Sequence, residues 1–375
     1  MLDNFKALGI NKDLVKGLNE LGIKVPTEIQ SEVIPLLLDG KKDLLAQAQT
    51  GTGKTAAFGL PILQSIDTSF DKPQALILCP TRELGQQVAK QLFKYTKYSE
   101  KVFTECVYGG EQIEKQISRL NRTTHIVVAT PGRLLDLIRR KDVDIRNVTT
   151  VVLDEADEML SMGFKDQLDQ ILNSVPEDIN KWLFSATMPD GIIEIVNNHM
   201  APNAQRVTVS KNELVNKNIE HKYLICEEQD KFNVLMRFLL QEEDNRGVIF
   251  CKTKAATQKL AKQLLAKNIP ADAIHGDLKQ KERDKIMRAF KNESLQILVA
   301  TDLAARGIDI QELAYVVHYQ LPDKDEYYTH RSGRTARAGN SGVSMALITH
   351  KETRKLKYYE NTLGITFHKE SHVNF

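Results

Sequence analysis

Short apolar runs, each followed by a longer amphipathic stretch, recur from one end of this chain to the other, and no other feature constrains its fold as strongly. Strands alternating with helices predict a parallel α/β architecture. In the first half the runs are "DLLAQ" (43–47), "ALILC" (75–79), "HIVVAT" (125–130), "VVLD" (151–154) and "KWLFSAT" (181–187). In the second half they are "HKYLIC" (221–226), "GVIFC" (247–251), "ADAIH" (271–275), "QILVAT" (296–301), "YVVHY" (315–319) and "SMALIT" (344–349). The intervening stretches read as amphipathic helices; in "QKLAKQLLAKN", Leu260, Leu264 and Leu265 are expected to share one face.

A length of 375 residues exceeds one typical core and favours two domains. The polar, proline-bearing segment 201–220 is the best linker candidate. It gives an N-terminal domain over 1–206, a linker over 207–217 and a C-terminal domain over 218–375. Each domain is expected to hold a mainly parallel sheet flanked by helices.

Other classes recede. No apolar run approaches the roughly 20 residues of a membrane span, and "MLDNFKALGI" lacks the basic start and long apolar core of a signal peptide. Cys79, Cys106, Cys226 and Cys251 are scattered without a CxxC pair, which suits buried thiols in a reducing, cytoplasmic compartment. A net charge of +2 is only weak support for a nucleic-acid partner.

Chemistry enters at "AQAQTGTGKTAAF" (46–58), placed after the first strand and before a helix. Gly51 and Gly53 let backbone N–H groups turn toward a phosphate, and the helix N-terminus adds positive potential. Lys54 would reach the β- and γ-phosphates and the Thr55 hydroxyl would ligate magnesium, with Gln49, Thr50 and Thr52 completing the loop. Ala48 stands where the strict pattern has glycine, at a position that only begins the turn. Such a loop needs an acidic partner at the end of another strand, and "VVLDEAD" (151–157) supplies it. Asp154 would hold magnesium, largely through water, and Glu155 would orient and deprotonate an attacking water. Helix capping survives as a second use for these acids. Together the two motifs point to binding, and with Glu155 to hydrolysis, of a nucleoside triphosphate.

In their order, these and the remaining motifs resemble the DEAD-box RNA helicases of helicase superfamily 2. "GIKVPTEIQ" (22–30) is similar to that family's Q motif, and Phe5 has the placement of its upstream aromatic. "PTREL", the pair Gly109 and Gly110, "TPGR", "SAT", "VIFCKT", "HGDLKQKER", "ATDLAARGID" and "HRSGRTARAG" follow in the family's sequence, covering Phe5 to about Ile348.

The resemblance implies two tandem RecA-like domains, ATP with Mg²⁺, and an RNA partner. Gln30 would read the adenine edge with its carboxamide, which carries donor and acceptor together; Phe5 would stack near the base and Thr27 would anchor the loop. Ile23 stands where the family often has an aromatic. Arg331, Arg334 and Arg337 recur every third residue, a spacing that places them on one side of a helical turn, where a solvated basic face is the plain alternative. In the family pattern Arg334 and Arg337 act as arginine fingers on the γ-phosphate. Asp309 would lie near the ribose, with Gly307 allowing close approach. Asp157, Ser185, Thr187, His330 and Arg331 would couple closure of the domains to RNA engagement.

Pro80, Thr81, Arg82, Glu83, Gly110, Thr130, Gly132 and Arg133 would line the first domain's RNA path. Thr253, Gly276, Asp277, Arg283 and Thr301 would continue it on the second. Small and polar residues at strand ends, without an aromatic ladder, suit sequence-tolerant grip on phosphate and 2′-OH. The resemblance leaves open whether such a core separates duplexes or acts mainly as an ATP-gated clamp or annealing protein. A monomeric core is expected, with partner proteins supplying the choice of RNA.

Overall fold

The computed structural model describes residues 4–40, 43–49, 51–209, 218–305, 313–323, 325–336 and 341–370. The chain divides into two compact units, Met1–Val209 and Ser210–Phe375. The first holds strands β1 (Leu44–Gln47), β2 (Ala75–Leu78), β3 (Thr104–Val107), β4 (Ile126–Ala129), β5 (Thr150–Leu153), β6 (Asn180–Ser185) and β7 (Gln205–Thr208). They form one sheet in the order β3-β4-β2-β5-β6-β1-β7. Every pairing in it is parallel.

The second unit holds β8 (Ile219–Ile225), β9 (Gly247–Phe250), β10 (Ala271–Ile274), β11 (Ile297–Ala300), β12 (Tyr315–His318), β13 (Gly342–Ile348) and β14 (Phe367–Lys369). Its order, β10-β11-β9-β12-β13-β8-β14, repeats the first sheet position for position, again all parallel.

Helices on both faces bury the central strands completely, which is why those strands are apolar at successive positions. Along β2 the side chains alternate between two cores. Ala75 and Ile77 join Phe58, Val128 and Trp182 on one face, while Leu76 and Leu78 join Val127, Leu134 and Leu183 on the other. The second sheet does the same: Ile249 packs with Leu260 and Val299, whereas Val248 and Phe250 pack with Phe290 and Leu298.

Three strands differ from the sequence expectation. β3, β7 and β14 escape the pattern because each lies at a sheet edge, short and partly exposed, with polar or charged residues inside it. Residues 205–208, which straddle the boundary drawn from sequence between the first domain (1–206) and the linker (207–217), thus pair with β1. The expected leucine face also needs correction: Leu260 and Leu264 are buried, but Leu265 is 60% exposed, since one residue turns a helix by about 100°. Among the described residues, no helix is long and apolar enough to cross a membrane.

Candidate active site

β5, β6 and β1 are neighbours, joined by the register pairs Leu153↔Leu183 and Gln47↔Ser185. Their carboxyl ends therefore bring the segment after β1 together with those after β5 and β6, which lie far from it in sequence, at the edge where parallel α/β sheets bind ligands.

From β1 the chain enters the glycine loop. Gly51 and Gly53 both adopt positive φ, +83° and +94°, a region that side chains with a Cβ rarely enter. Gly53 caps the helix Lys54–Ser65. A Cβ on Gly53 would also lie 2.3 Å from Gln30 Nε2, so two constraints select glycine there. The loop closes on its own carbonyls. Thr52 Oγ1 donates to Gln49 O at 2.8 Å, and the buried Lys54 donates through Nζ to Ala48 O at 3.1 Å. Thr55 is half-buried on the first turn.

The helix Glu28–Leu38 braces this loop. Thr27 Oγ1 donates to Thr52 O at 2.7 Å, and Gln30 Nε2 donates to Gly53 O at 3.0 Å. Gln30 Oε1 accepts from the Thr27 amide at 2.9 Å. The carboxamide expected at adenine is thus already holding the phosphate loop, with one donor and one lone pair left over. Phe5 departs further from expectation. It is 2% exposed and packed in the first unit's core, because the N-terminal turn folds its ring inward with Leu8 and Ile10.

At the end of β5 the three acids occupy three environments. Asp154 is 2% exposed, its Oδ1 is buried without a hydrogen-bond partner, and burial pushes its carboxyl up to about 7 against the opposing pull of Lys54. Glu155 stands at φ +53°, ψ +53°, a left-handed conformation in which a non-glycine residue stores strain, and it begins the helix Ala156–Ser161. Asp157 faces β6. Its Oδ2 accepts from both the amide and the hydroxyl of Thr187 at 2.8 Å, and its own amide donates to Ser185 Oγ at 3.3 Å. Ser185 in turn donates to Thr187 O at 2.6 Å.

An unpartnered, buried carboxylate oxygen beside a lysine fits a hard cation that takes oxygen ligands. No group of three or more His, Cys, Asp or Glu side chains gathers as a metal cage among the described residues, so water would fill most positions around such an ion.

Other residues singled out from sequence also lie at strand ends. Thr81 and Thr253 cap the helices Arg82–Tyr95 and Lys254–Leu265, accepting from the amides of Leu84 (3.3 Å) and Ala256 (3.1 Å). Pro80 is buried and Glu83 half-buried. The Arg82 guanidinium lies 4.5 Å from the Tyr108 ring centroid, and Gly110 turns with φ +87°. Thr130 precedes Pro131 at the start of the helix Pro131–Arg139, and Arg133 Nη2 donates to Glu111 O at 3.1 Å. Arg133 Nη1 is buried without a hydrogen-bond partner. A Cβ added at Gly132 or Gly276 would meet nothing within 4 Å. In the second unit Lys254 pairs with the exposed Asp277, Arg283 Nη2 donates to Ala304 O at 2.6 Å, and Thr301 is half-buried after β11.

The arginine motif requires a correction. Its helix, Asp325–Ser332, ends before Arg334, so Arg331 and Arg334 do not share a helical face. His330 is half-buried. Arg331 is buried, grips Asp302 with Nε and Nη2, donates through Nη1 to Gln320 O at 2.8 Å, and lies 5.0 Å from the Phe250 ring centroid. Thr50, Gly307, Asp309 and Arg337 lie outside the described residues. Sequence reading missed Asp302 as the partner of Arg331 and Tyr108 as the partner of Arg82. Asp302 sits inside "ATDLAARGID", where an acid placed before a helix was a usable signal; Tyr108 offered none.

Residues 27–195 match the DEAD/DEAH box helicase family and residues 230–339 the helicase conserved C-terminal domain. The DEAD-box ATP-dependent RNA helicase CshA of Bacillus cereus (strain ATCC 10987 / NRS 248) is 44% identical over 361 residues, covering 96% of this chain and 68% of the relative. CshA of Bacillus subtilis (strain 168) is 42% identical over 362 residues, 96% of this chain and 73% of the relative. Among solved structures, S. cerevisiae Dbp5 bound to RNA and ADP BeF3 matches with a TM-score of 0.88 at 32% identity, covering 98% of this chain and 95% of that one. Mss116p bound to ssRNA and AMP-PNP matches with a TM-score of 0.87 at 30% identity, covering 98% and 79%.

Proposed function

The chain belongs to the DEAD-box ATP-dependent RNA helicases, and we propose that it grips single-stranded RNA by its backbone and separates or remodels duplexes locally through closure of its two units around ATP. It is an RNA-stimulated ATPase with two RecA-like units. The observation that carries the reading is the convergence at β1, β5 and β6: a phosphate loop, an unpartnered buried acid, a strained glutamate and a hydrogen-bonded link into β6.

ATP enters with its phosphates at the loop 48–55, where the Lys54 ammonium has two further protons beyond the one given to Ala48 O. The remaining donor and acceptor of Gln30 are suited to the adenine edge. Thr55 and the unpartnered Asp154 oxygen would hold a magnesium ion, largely through water, whose bound charge offsets that of the phosphates. Glu155 orients a water molecule and takes its proton as a bond forms to the γ-phosphorus and the bond to the β-phosphate oxygen breaks. Its left-handed backbone makes the sharp turn from β5 into the helix Ala156–Ser161 at the residue that carries this carboxylate.

Arg334 and Arg337 reach the γ-phosphoryl group when the units close, so turnover waits on closure, and Asp309 with Gly307 attends the ribose. Asp157, through Thr187 and Ser185, ties the catalytic acids to β6 and so to RNA engagement, with His330 on the second unit's side of that link. RNA lies along the carboxyl ends of both sheets, on the threonine, glycine and arginine positions from Pro80 to Arg133 and from Thr253 to Thr301. A bent single strand fits a path that a rigid duplex cannot, and its complement is released.

Glu155→Gln tests this directly. It is expected to bind ATP and RNA, to lose about 10²- to 10⁴-fold in turnover, and to remain on RNA. Turnover near that of the unaltered protein would end Glu155's assignment as the base. RNA retention without strand release by the unaltered protein in a duplex assay would favour the clamp.

A further inference from the structure

Behind the arginine motif lies a buried polar cluster that no nucleotide or RNA role accounts for. Ser344 Oγ, on β13, is its hub, with Ser332 Oγ at 2.8 Å, His318 Nε2 at 3.1 Å and Tyr328 OH at 3.2 Å. Ser332 Oγ also lies 3.3 Å from His318 Nε2, and Tyr328 OH meets His221 Nδ1 at 2.8 Å. The His318 ring stacks on Tyr328 with centroids 4.4 Å apart and planes 14° from parallel. Ser332, Ser344, His318 and Tyr328 are each at most 1% exposed.

The chemistry fixes the histidine's state. Arg331 Nη1 lies 3.4 Å from His318 Nδ1, and a guanidinium has only donors, so Nδ1 must accept. The ring is therefore the neutral tautomer with its proton on Nε2, donated to the serine pair. Burial, with the charge of Arg331 and then His221 adding to it, holds this imidazole well below the ordinary histidine range.

We propose that His318, with Ser344, Ser332 and Tyr328, is a positioning unit for Arg334, fixing the end of the helix Asp325–Ser332 from which that arginine departs. The backbone leaves little slack between cluster and finger. The Arg334 amide donates to Arg331 O at 3.1 Å, and its carbonyl accepts from Leu313 N at 3.4 Å. One residue later, buried Thr335 donates to Leu313 O, with Ala314 O at 3.2 Å. Arg334 is thus held between Ser332, anchored by the cluster, and Thr335, anchored to the segment entering β12. The side chains of Ser344, Ser332, His318 and Tyr328 are each bonded within this buried network, which favours one geometry, whereas apolar side chains of similar volume would pack without specifying direction. This inference rests on the reading of Arg334 as the residue that neutralises phosphoryl charge.

The test is steady-state ATPase of the full chain at saturating RNA. His318→Phe removes both ring nitrogens and keeps a ring for Tyr328. It is expected to lower kcat about 10-fold, the size of one lost hydrogen bond in the transition state, with KM for ATP within about twofold. In an Arg334→Ala background the same change should add nothing, because the group it positions is gone. Ser344→Ala, a milder cut at the hub, should repeat the pattern more weakly and serves if His318→Phe fails to show a native unfolding transition. His318→Gln, which restores an N–H near the Nε2 position, should recover part of kcat. An equal loss in both backgrounds, or a change in KM alone, overturns the positioning role. Unimpaired kcat in Arg334→Ala itself overturns the reading of Arg334, and the inference falls with it.

Discussion

The two units share one strand order, yet they treat the same position in opposite ways. A lysine is the first residue of the helix after β1 in one, Lys54, and after β8 in the other, Lys231. Both are buried. Lys54 donates to a single backbone carbonyl and faces a loop of glycines. Lys231 is met by the carboxylates of Glu228 at 2.9 Å and Glu352 at 3.8 Å, and Glu352 is itself held by the Thr349 amide at 2.9 Å. Between the flanking strands the contrast repeats, since β5 is followed by Asp154 whereas β12 is followed by Tyr319. The second unit keeps the frame of a phosphate site but fills it with its own anions, and in the function proposed above its contribution to the chemistry is the arginine segment after β12. A shared fold therefore says where a ligand can sit; the side chains at strand ends decide whether one does.

Paired substitution gives the sharpest break of that comparison. Lys54→Ala should lower ATP turnover about 10²- to 10³-fold, the loss typical of one preorganised charge-stabilising donor, while Lys231→Ala should leave it within about twofold. Lys231→Ala should instead lower the unfolding midpoint of the second unit, because it empties the buried space the lysine fills and leaves the half-buried Glu352 without its ammonium partner. ATPase rates and a thermal melt of both variants measure this. Equal catalytic losses would mean the second site is also in use.

A smaller effect is expected where the second unit places its buried charge. Asp302→Ala strands the Arg331 guanidinium, whose side chain is 1% exposed, and breaking such a pair costs about 3–5 kcal/mol. Denaturant unfolding should show this loss in the second unit's transition and leave the first unit's midpoint in place. A single unchanged transition would show that Gln320 O and His318 suffice to hold Arg331.

How much of this was readable beforehand divides along the sheets. Central strands such as "ALIL" and "ILVA" are legible because burial on both faces demands apolar residues throughout. Edge strands such as "TECV", "QRVT" and "FHK" carry no such demand and were missed. At the site, the glycine loop and Asp154 were legible because phosphate chemistry narrows the residue types, and the link from Asp157 to Thr187 was anticipated as well. The inward turn of Phe5, the bracing of the loop by Gln30 and the pairing of Arg331 with Asp302 were not. Each is a choice between partners that distant segments supply, and a motif's spacing does not record which partner is nearer.

The smallest effect tests whether the two sheets hold RNA alike. Thr81 and Thr253 follow equivalent strands, β2 and β9, with nearly the same backbone, φ −130° and −124°, and each hydroxyl caps its helix. Replacing either by valine keeps the shape and removes the cap, for a loss of about 1 kcal/mol in its own unit. Thr81 is buried and accepts at 3.3 Å, whereas Thr253 is exposed and accepts at 3.1 Å, so its hydroxyl has more room for a second partner. Thr253→Val should therefore weaken RNA binding in the presence of a non-hydrolysable ATP analogue more than Thr81→Val does, by a factor of about 3 to 10 for one phosphate hydrogen bond. Fluorescence anisotropy with a short RNA reads the difference. If both variants bind like the unaltered chain, these threonines are helix caps and nothing more, and the grip belongs to the arginines and backbone amides beside them.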